Sequence, residues 1–193
     1  QSRSSAASDV YKRQVLHERA KPVDEITDEI RQLAADMFET VDLAPGVGLA
    51  APQIGVGLRM FVYTYTDEVS GTSWRDVAIN PELLISPAVP ESIVGLGEHE
   101  EEGCLSFPGE RYPIRRAARA HMRATDLDGE QYELDVEGWM ARILQHEYDH
   151  LNGVIYVDRL SHPHQRDAFK VMRKRSWGGP GQSWMPGEDN LEG

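Results

Sequence analysis

The stretch that decides the fold spans residues 136–153 and reads VEGWMARILQHEYDHLNG. Its apolar residues recur at intervals of three and four, and Gly153 stands where a helix would stop. These apolar positions are Val136, Trp139, Met140, Ile143, Leu144 and Leu151. The pattern predicts one buried amphipathic helix, with His146 and His150 one turn apart on the same face.

His146, Glu147 and His150 form a short pattern that is typical of metal sites on helices. Two imidazoles four residues apart can bind one metal ion, and a glutamate beside the first ligand is placed to act on a water molecule at that ion. The same pattern also arises by chance in unrelated helices, where the histidines are ordinary helix residues. Both interpretations stay open on this stretch alone.

The composition limits the class of protein. The chain has 193 residues and a formal net charge of -12. This length fits one domain with a sizeable core, and the charge argues against wholesale binding to nucleic acid or anionic membranes. Apolar runs stay well short of the roughly 18 residues that cross a bilayer, and the N-terminal residues lack the apolar core of a secretory signal. We therefore expect a cytoplasmic protein without a membrane span.

Cys104 is the single cysteine of the chain, which excludes an internal disulfide. A reducing compartment suits such a residue, and its thiolate can then serve as a metal ligand. A lone cysteine is more often a small buried hydrophobic residue. Its neighbours must decide between these roles.

Periodicity and turn residues predict the other elements. The predicted helices cover residues 26–41 and 165–175. The predicted strands cover residues 58–65, 74–79, 116–125, 131–134 and 154–157. Asn80 and Pro81 are expected to end the second strand, and Asp128 with Gly129 to form a hairpin turn.

Residues 44–55 read APGVGLAAPQIG, the composition of a loop whose backbone must approach something closely. The Gly-x-Gly-x-x-Gly fingerprint of dinucleotide binding is incomplete, because Ala51 occupies its third glycine position. No nucleotide site is predicted. Gln53 is either a satisfied loop amide or a donor that points into a site.

Three separated blocks together resemble the signature motifs of the peptide deformylase family, enzymes that remove the formyl group from nascent chains beginning with N-formylmethionine. They are residues 46–53 (GVGLAAPQ), 102–106 (EGCLS) and 145–150 (QHEYDH). The resemblance covers about residues 15–160. In addition, residues 181–189 (GQSWMPGED) are similar to the actinobacterial branch of that family.

The resemblance implies an α+β fold in which antiparallel strands surround a central helix that carries the metal motif. It implies a catalytic domain at residues 15–176. Residues 1–14, which are rich in Ser and Ala without periodicity, are expected to be a non-native or disordered leader, and the Gly/Pro-rich tail at 177–193 is expected to pack on the surface. It places one iron(II) ion, replaceable by zinc, nickel or cobalt, on Cys104, His146 and His150. Glu147 would transfer the proton, while the Leu105 backbone N–H and the Gln53 amide would stabilise the oxyanion.

Substrate contacts are expected from four residues near the motifs: Val47, Gly48, Gly103 and Trp139. Phe107 replaces a smaller aliphatic residue of the family pattern, which predicts a narrower entrance. Asp149 either pairs with Arg116, orienting a ligand, or faces solvent.

The implied partners are formylated nascent peptides, and we expect a monomer. A contact with the ribosome near the exit tunnel would use Lys170, Arg173, Lys174 and Arg175, although a solvated helix face is the simpler explanation of this basic cluster. Two rival functions remain. One is an inactive metal-binding relative, and the other is a zinc peptidase. One extended peptidase motif requires a histidine at position 156, where this chain has Tyr156.

Overall fold

The computed structural model describes residues 16–44, 46–87 and 101–175. The predicted leader at 1–14 and tail at 177–193 lie outside these ranges, as do residues 88–100. Within the described ranges, no helix combines the length and the apolar character needed to cross a membrane.

Three α-helices and seven strands make up the described fold. The helices are α1 (Asp28–Leu43), α2 (Gly138–Leu151) and α3 (His162–Lys174). The strands are β1 (Gly48–Ala50), β2 (Met60–Thr66), β3 (Ser73–Ile85), β4 (Glu101–Cys104), β5 (Phe107–Pro113), β6 (Arg119–Thr125) and β7 (Gln131–Glu137). Short 3-10 helices cover Ala51–Ile54 and Tyr156–Arg159.

The strands form two antiparallel sheets, which confirms the predicted α+β class. One has the order β1-β2-β3-β6-β7, and the other pairs β4 with β5. Strand β2 of the larger sheet is buried on both faces over most of its length. Phe61 and Tyr63 pack in a cluster with Leu144 of α2, whereas Met60 and Val62 pack in a cluster with residues of α1. Alternate side chains of β2 therefore attach one helix to each face.

Helix α2 carries His146 and His150 as predicted, but it begins at Gly138, two residues later than predicted. Val136 pairs with Ala120 in the β6–β7 ladder, and Gly138, at φ +61°, makes the turn from strand to helix. The far end agrees with the prediction, because Gly153 has φ +73° just beyond the helix. A left-handed backbone at these two positions favours glycine.

The predicted end of β3 at Asn80 and Pro81 is wrong. The strand continues to Ile85, with a register shift between Ile79 and Glu82. Asn80 has φ +51°, and its side chain accepts from the Val23 N–H and donates to the Val23 carbonyl, both at 2.8 Å. This contact holds a bulge that absorbs the proline without ending the strand.

Two other predictions need correction, and one is confirmed. Residues 44–55 are not a continuous loop, since β1 pairs with β2 and a 3-10 helix follows it. The described residues 154–157 do not form the expected strand. A 3-10 helix starts at Tyr156, and its Asp158 side chain accepts from the Ile155 N–H. The hairpin after β6 is confirmed, with Gly129 at φ +86°.

Candidate metal centre

Three side chains with metal-ligating atoms converge where β4 meets α2. Cys104 ends β4, and His146 and His150 lie one turn apart on α2. The Cys104 Sγ and His146 Nε2 atoms lie 3.3 and 3.2 Å from His150 Nε2. All three ligand atoms lie within 4.8 Å of one another, and all three residues are buried.

This spacing fits one metal ion. Bonds of about 2.3 Å to sulfur and about 2.0–2.1 Å to nitrogen place neighbouring ligand atoms of a tetrahedral site about 3.3–3.6 Å apart. Three protein ligands leave one position for water or substrate, as in catalytic sites. The structure thus brings together the three residues predicted as ligands, and their ligand role stays a prediction.

The carboxylate of Glu102, two residues before Cys104, is bound by three side chains. His146 Nδ1 lies 3.0 Å from Glu102 Oε2, and Arg116 donates a 2.9 Å hydrogen bond to each carboxylate oxygen. Arg142 donates to Oε1 at 2.8 Å. Burial alone would raise the pKa of Glu102, but the bonds from His146 and Arg116 outweigh burial and hold this pKa at about 2. An ionised Glu102 therefore fixes the His146 ring and directs its Nε2 atom toward the ligand cluster.

The two histidines differ in their proton affinity. Burial lowers the pKa of His150, and the neighbouring His146 lowers it further, which favours the neutral imidazole that a metal requires. For His146, the Cys104 sulfur and the Glu102 carboxylate outweigh burial and raise the pKa above its usual value. A cation at Nε2 would take the place of that proton.

Asp149 extends this network to the far side of Arg116. Arg116 Nη1 donates to Asp149 Oδ2 at 2.6 Å, which confirms the first of the two arrangements expected for this pair. Both side chains are buried, so the solvent-facing alternative is wrong. Arg159 also donates to both oxygens of Asp149.

Glu147, the predicted proton-transfer residue, is buried beside the ligand cluster. Its Oε2 atom has no hydrogen-bond partner among the described residues. Burial raises the pKa of Glu147 to about 7. A carboxyl group with this pKa can both accept and donate a proton near neutral pH.

Gln53 is held in a defined orientation. Its Oε1 atom accepts a 2.7 Å hydrogen bond from the Ala50 N–H. Its Nε2 atom therefore points the other way, 3.6 Å from Cys104 Sγ and 3.3 Å from Ser106 Oγ. This orientation of Gln53 agrees with the prediction of a donor that points into the site. It disagrees with the alternative, in which the amide makes hydrogen bonds only within its own loop.

Gln53, Glu147, Cys104 and His146 line one cavity of about 240 Å³. All the residues predicted for substrate contact or oxyanion stabilisation are among its lining: Val47, Gly48, Gln53, Gly103, Leu105 and Trp139. Leu105 lies in the turn between β4 and β5, directly after Cys104. The predicted catalytic and substrate-binding groups thus share one chamber with Cys104 and His146.

Several lining residues were not predicted from the sequence. Arg142 and Ile143 lie one helical turn before His146, so the helical period contained the signal that they share its face. Arg111 on β5 and Gly46 also line the cavity, and nothing in the spacing of the motifs indicated Arg111.

Phe107 does not narrow this chamber. Its side chain is buried, packs edge-on against Tyr156 with ring centroids 5.9 Å apart, and is not part of the cavity lining. The prediction that Phe107 narrows the entrance of the site is therefore wrong. Tyr156, at the position where the peptidase motif requires histidine, also packs beside His146, with centroids 6.0 Å apart.

The fold and the site together define a class, metal-dependent hydrolases whose candidate ligands are one cysteine and two histidines. Residues 9–166 match the family model described as polypeptide deformylase. The chain therefore belongs to the peptide deformylase family. Membership supports deformylase function over a zinc peptidase or an inactive metal-binding protein.

Similar proteins agree with this family. The chain is 44% identical over 183 residues to a peptide deformylase of Tropheryma whipplei, covering 90% of each sequence. It is 46% identical over 180 residues to that of Mycolicibacterium smegmatis, an actinobacterial relative, again covering 90% of each. The crystal structure of the Thermus thermophilus peptide deformylase superposes with a TM-score of 0.73 at 35% identity, covering 89% of this chain and 96% of that one.

Proposed function

We propose that this protein removes the formyl group from the N-formylmethionyl end of nascent peptides, as a cytoplasmic monomer. The observation that carries the proposal is that Gln53 and Glu147 line the same cavity as Cys104 and His146. A structural metal site requires neither an oriented amide donor nor a buried carboxyl group with a pKa of about 7. In amide hydrolysis, a carboxyl group with such a pKa can transfer the proton, and an oriented amide donor can stabilise the oxyanion.

Cys104, His146 and His150 would hold one divalent ion, for which we propose iron(II), with zinc, nickel or cobalt able to replace it. When bound, the ion supplies Lewis-acid chemistry, polarising the formyl carbonyl and lowering the pKa of a water molecule. Glu102 keeps His146 in the orientation that this requires.

Glu147 moves the proton of the reaction. Its Oε2 atom would accept a proton from the attacking water and later donate it to the departing amine nitrogen. The water oxygen becomes bonded to the formyl carbon, the carbon–nitrogen bond breaks, and the products are formate and a free amino terminus. Such general acid–base catalysis contributes about two to four powers of ten.

Gln53 and Leu105 stabilise the charge that develops on the formyl oxygen. The fixed Nε2 donor of Gln53 and the backbone N–H of Leu105 would both donate to this oxyanion. Because the Ala50 N–H already holds Gln53 Oε1, little reorganisation is needed during the reaction.

The methionine side chain would lie against the apolar part of the lining. Trp139 and Ile143 of α2 and Val47 before β1 supply this surface. Among the described strands, β1 pairs with β2 on one side only, so the peptide can add alongside Gly48 as a further strand, within the cavity that Gly103 also lines. A related deformylase of Synechococcus elongatus, 34% identical, was solved in complex with actinonin, and we propose that actinonin occupies this cavity as well.

Contact with the ribosome is proposed for the basic end of α3. Lys170 already pairs with Asp167 at 2.8 Å, and Arg175 with Glu110 at 3.2 Å. Co-sedimentation with ribosomes should weaken when Lys170, Arg173, Lys174 and Arg175 are all neutralised. Unchanged co-sedimentation would leave this surface as a solvated helix face.

The experiment that tests the function measures formate release from formyl-Met-Ala-Ser by protein loaded anaerobically with iron(II). Glu147→Ala is expected to lower the rate at least about a hundredfold, whereas Glu133→Ala, on the exposed side of β7, should not. Bound metal without formate release would instead indicate an inactive relative. Cleavage within an unformylated peptide would indicate a peptidase.

A further inference from the structure

We infer that Arg159 is a positioning residue for the metal centre, although it lies outside the cavity. It would act through Asp149, Arg116 and Glu102, which connect it to the ring of His146. The inference rests on the proposed metal centre and adds to it a group on the protein surface.

The connection is a continuous series of side-chain contacts. Arg159 donates from Nε and Nη2 to the two oxygens of Asp149. Asp149 Oδ2 also accepts from Arg116 Nη1 at 2.6 Å, and Arg116 grips both oxygens of Glu102. Glu102 Oε2 lies 3.0 Å from His146 Nδ1. Each link except the last therefore joins a guanidinium to a carboxylate.

Burial makes the interior of this series rigid. The side chains of Asp149, Arg116 and Glu102 are 8%, 5% and 4% exposed. Buried charges that lose a partner are costly, so each of these groups must keep its contacts. Arg159 differs from them, because its side chain is 48% exposed.

Arg159 controls how Asp149 is held. Among the described contacts, Asp149 Oδ1 is bound only by Arg159, while Oδ2 is shared between Arg159 and Arg116. Without Arg159, the carboxylate can rotate toward solvent, and the bond to Arg116 weakens. Arg116 then loses the group that fixes one side of its guanidinium, and the Glu102 carboxylate that orients His146 loosens with it.

The position of Arg159 supports this role. It ends the 3-10 helix Tyr156–Arg159, whose Tyr156 and Val157 are buried in the same hydrophobic cluster as Cys104. Asp149 is the residue before His150 on α2. The contact between Arg159 and Asp149 therefore joins the two chain segments that flank the ligand cluster.

A merely stabilising surface ion pair is the alternative, and the chain contains a matched example. Arg75 is also 48% exposed and donates two 2.9 Å hydrogen bonds to the carboxylate of Asp42. Asp42 is half exposed and has no described contact that leads to the metal centre. Arg75→Ala thus removes a similar pair without touching the network.

The test measures affinity for zinc by competition with a chelator, together with the absorption spectrum of the cobalt-substituted protein. Arg159→Ala should weaken metal affinity about tenfold, the lower end of the range for groups that orient metal ligands. Its cobalt spectrum should shift, since the His146 ring is less firmly held. Arg159→Lys retains the charge but not the two-pronged contact and should fall in between. Arg75→Ala should match the parent in both measurements.

A double variant separates the network from a general loss of stability. Once Glu102→Ala has removed the side chain that links Arg116 to His146, Arg159→Ala should change metal affinity by a further factor of less than about two. Equal metal affinity for the parent and Arg159→Ala would overturn the inference. A double variant whose loss of affinity equals the product of the two single losses would also overturn it. If Arg159→Ala does not fold, Arg159→Lys with the parent's affinity and spectrum would overturn it. A parent that binds no metal would instead overturn the proposed centre itself.

Discussion

A Cβ atom on Gly48 would lie 2.5 Å from Glu147 Oε1 and 2.8 Å from its carboxyl carbon. Real Cβ atoms essentially never come so close to another heavy atom. Only glycine at this position of β1 therefore leaves room for the side-chain carboxyl group of Glu147, which lies against the β1 backbone. The glycine-rich block thus does more than admit substrate, since it also makes room for the group proposed to move the proton.

Gly48→Ala is expected to displace the Glu147 side chain while leaving the metal centre in place. The turnover number should fall about a hundredfold, the scale of lost acid–base catalysis. Metal content should stay at the parent's level, because the three atoms nearest to the new methyl group all belong to Glu147. Steady-state kinetics and metal analysis of the same preparation give both quantities.

Gly103→Ala is the matched control for that prediction. Its Cβ would lie 3.6 Å from the Arg111 side chain, an ordinary van der Waals distance, in the same cavity wall. The loss of turnover should be far smaller than in Gly48→Ala. Similar losses in the two variants would show that any added methyl group impairs the cavity, and that Gly48 has no special relation to Glu147.

Gln53→Ala should lose activity while it retains metal. The variant removes a preorganised donor, which costs roughly 3 kcal/mol in the barrier, or about a hundredfold in rate. Gln53→Glu should be at least as impaired, because it places an acceptor where Nε2 now donates. Ser106→Ala removes only a 3.3 Å contact of the same amide and serves as the comparison. Metal loss in Gln53→Ala would refute the oxyanion role.

The elements that could be predicted from sequence are those specified by neighbouring residues. The helix around His146 follows from apolar positions three and four apart, and the hairpin at Gly129 follows from its turn residues. The failure at Asn80 has a different origin. The bulge there depends on hydrogen bonds to Val23, which is 57 positions away in the chain, and no local pattern reports such a contact.

The candidate site divides in the same way. Cys104, His146 and His150 could be grouped because the three motifs resemble those of a known family. The hydrogen-bond network that holds His146 could not be predicted in this way, since Glu102, Arg116 and Arg142 lie in different parts of the chain and meet only in the folded protein. The sequence suggested the pair of Arg116 with Asp149 as one of two options, and only burial of both side chains decides between them.

Activity with iron(II) should be lost in air. The Cys104 side chain lines the cavity proposed to bind the substrate, so oxygen can reach both its sulfur and a redox-active ion. Protein loaded with nickel(II) should keep its activity under the same exposure, because that ion does not take part in the oxidation. The residual rate of formate release after timed exposure to air compares the two. Equal lifetimes would contradict a role for iron at this site.

The stabilisation supplied by Glu102 should depend on pH in a defined direction. Its pKa is about 2 in the folded protein and ordinarily 4.5. A lowered folded-state pKa stabilises the fold above the unfolded value, and the stabilisation is lost as pH falls from about 4.5 toward 2. The shift corresponds to about 3 kcal/mol at neutral pH.

In metal-free protein, the difference in the free energy of unfolding between the parent and Glu102→Gln should therefore be largest near pH 7 and shrink through this window. Asp42→Asn alters an exposed ion pair, so its free energy of unfolding should differ from the parent's by much less over the same pH range. If the difference between the parent and Glu102→Gln stays constant from pH 7 to about pH 2, ionisation of Glu102 does not stabilise the fold.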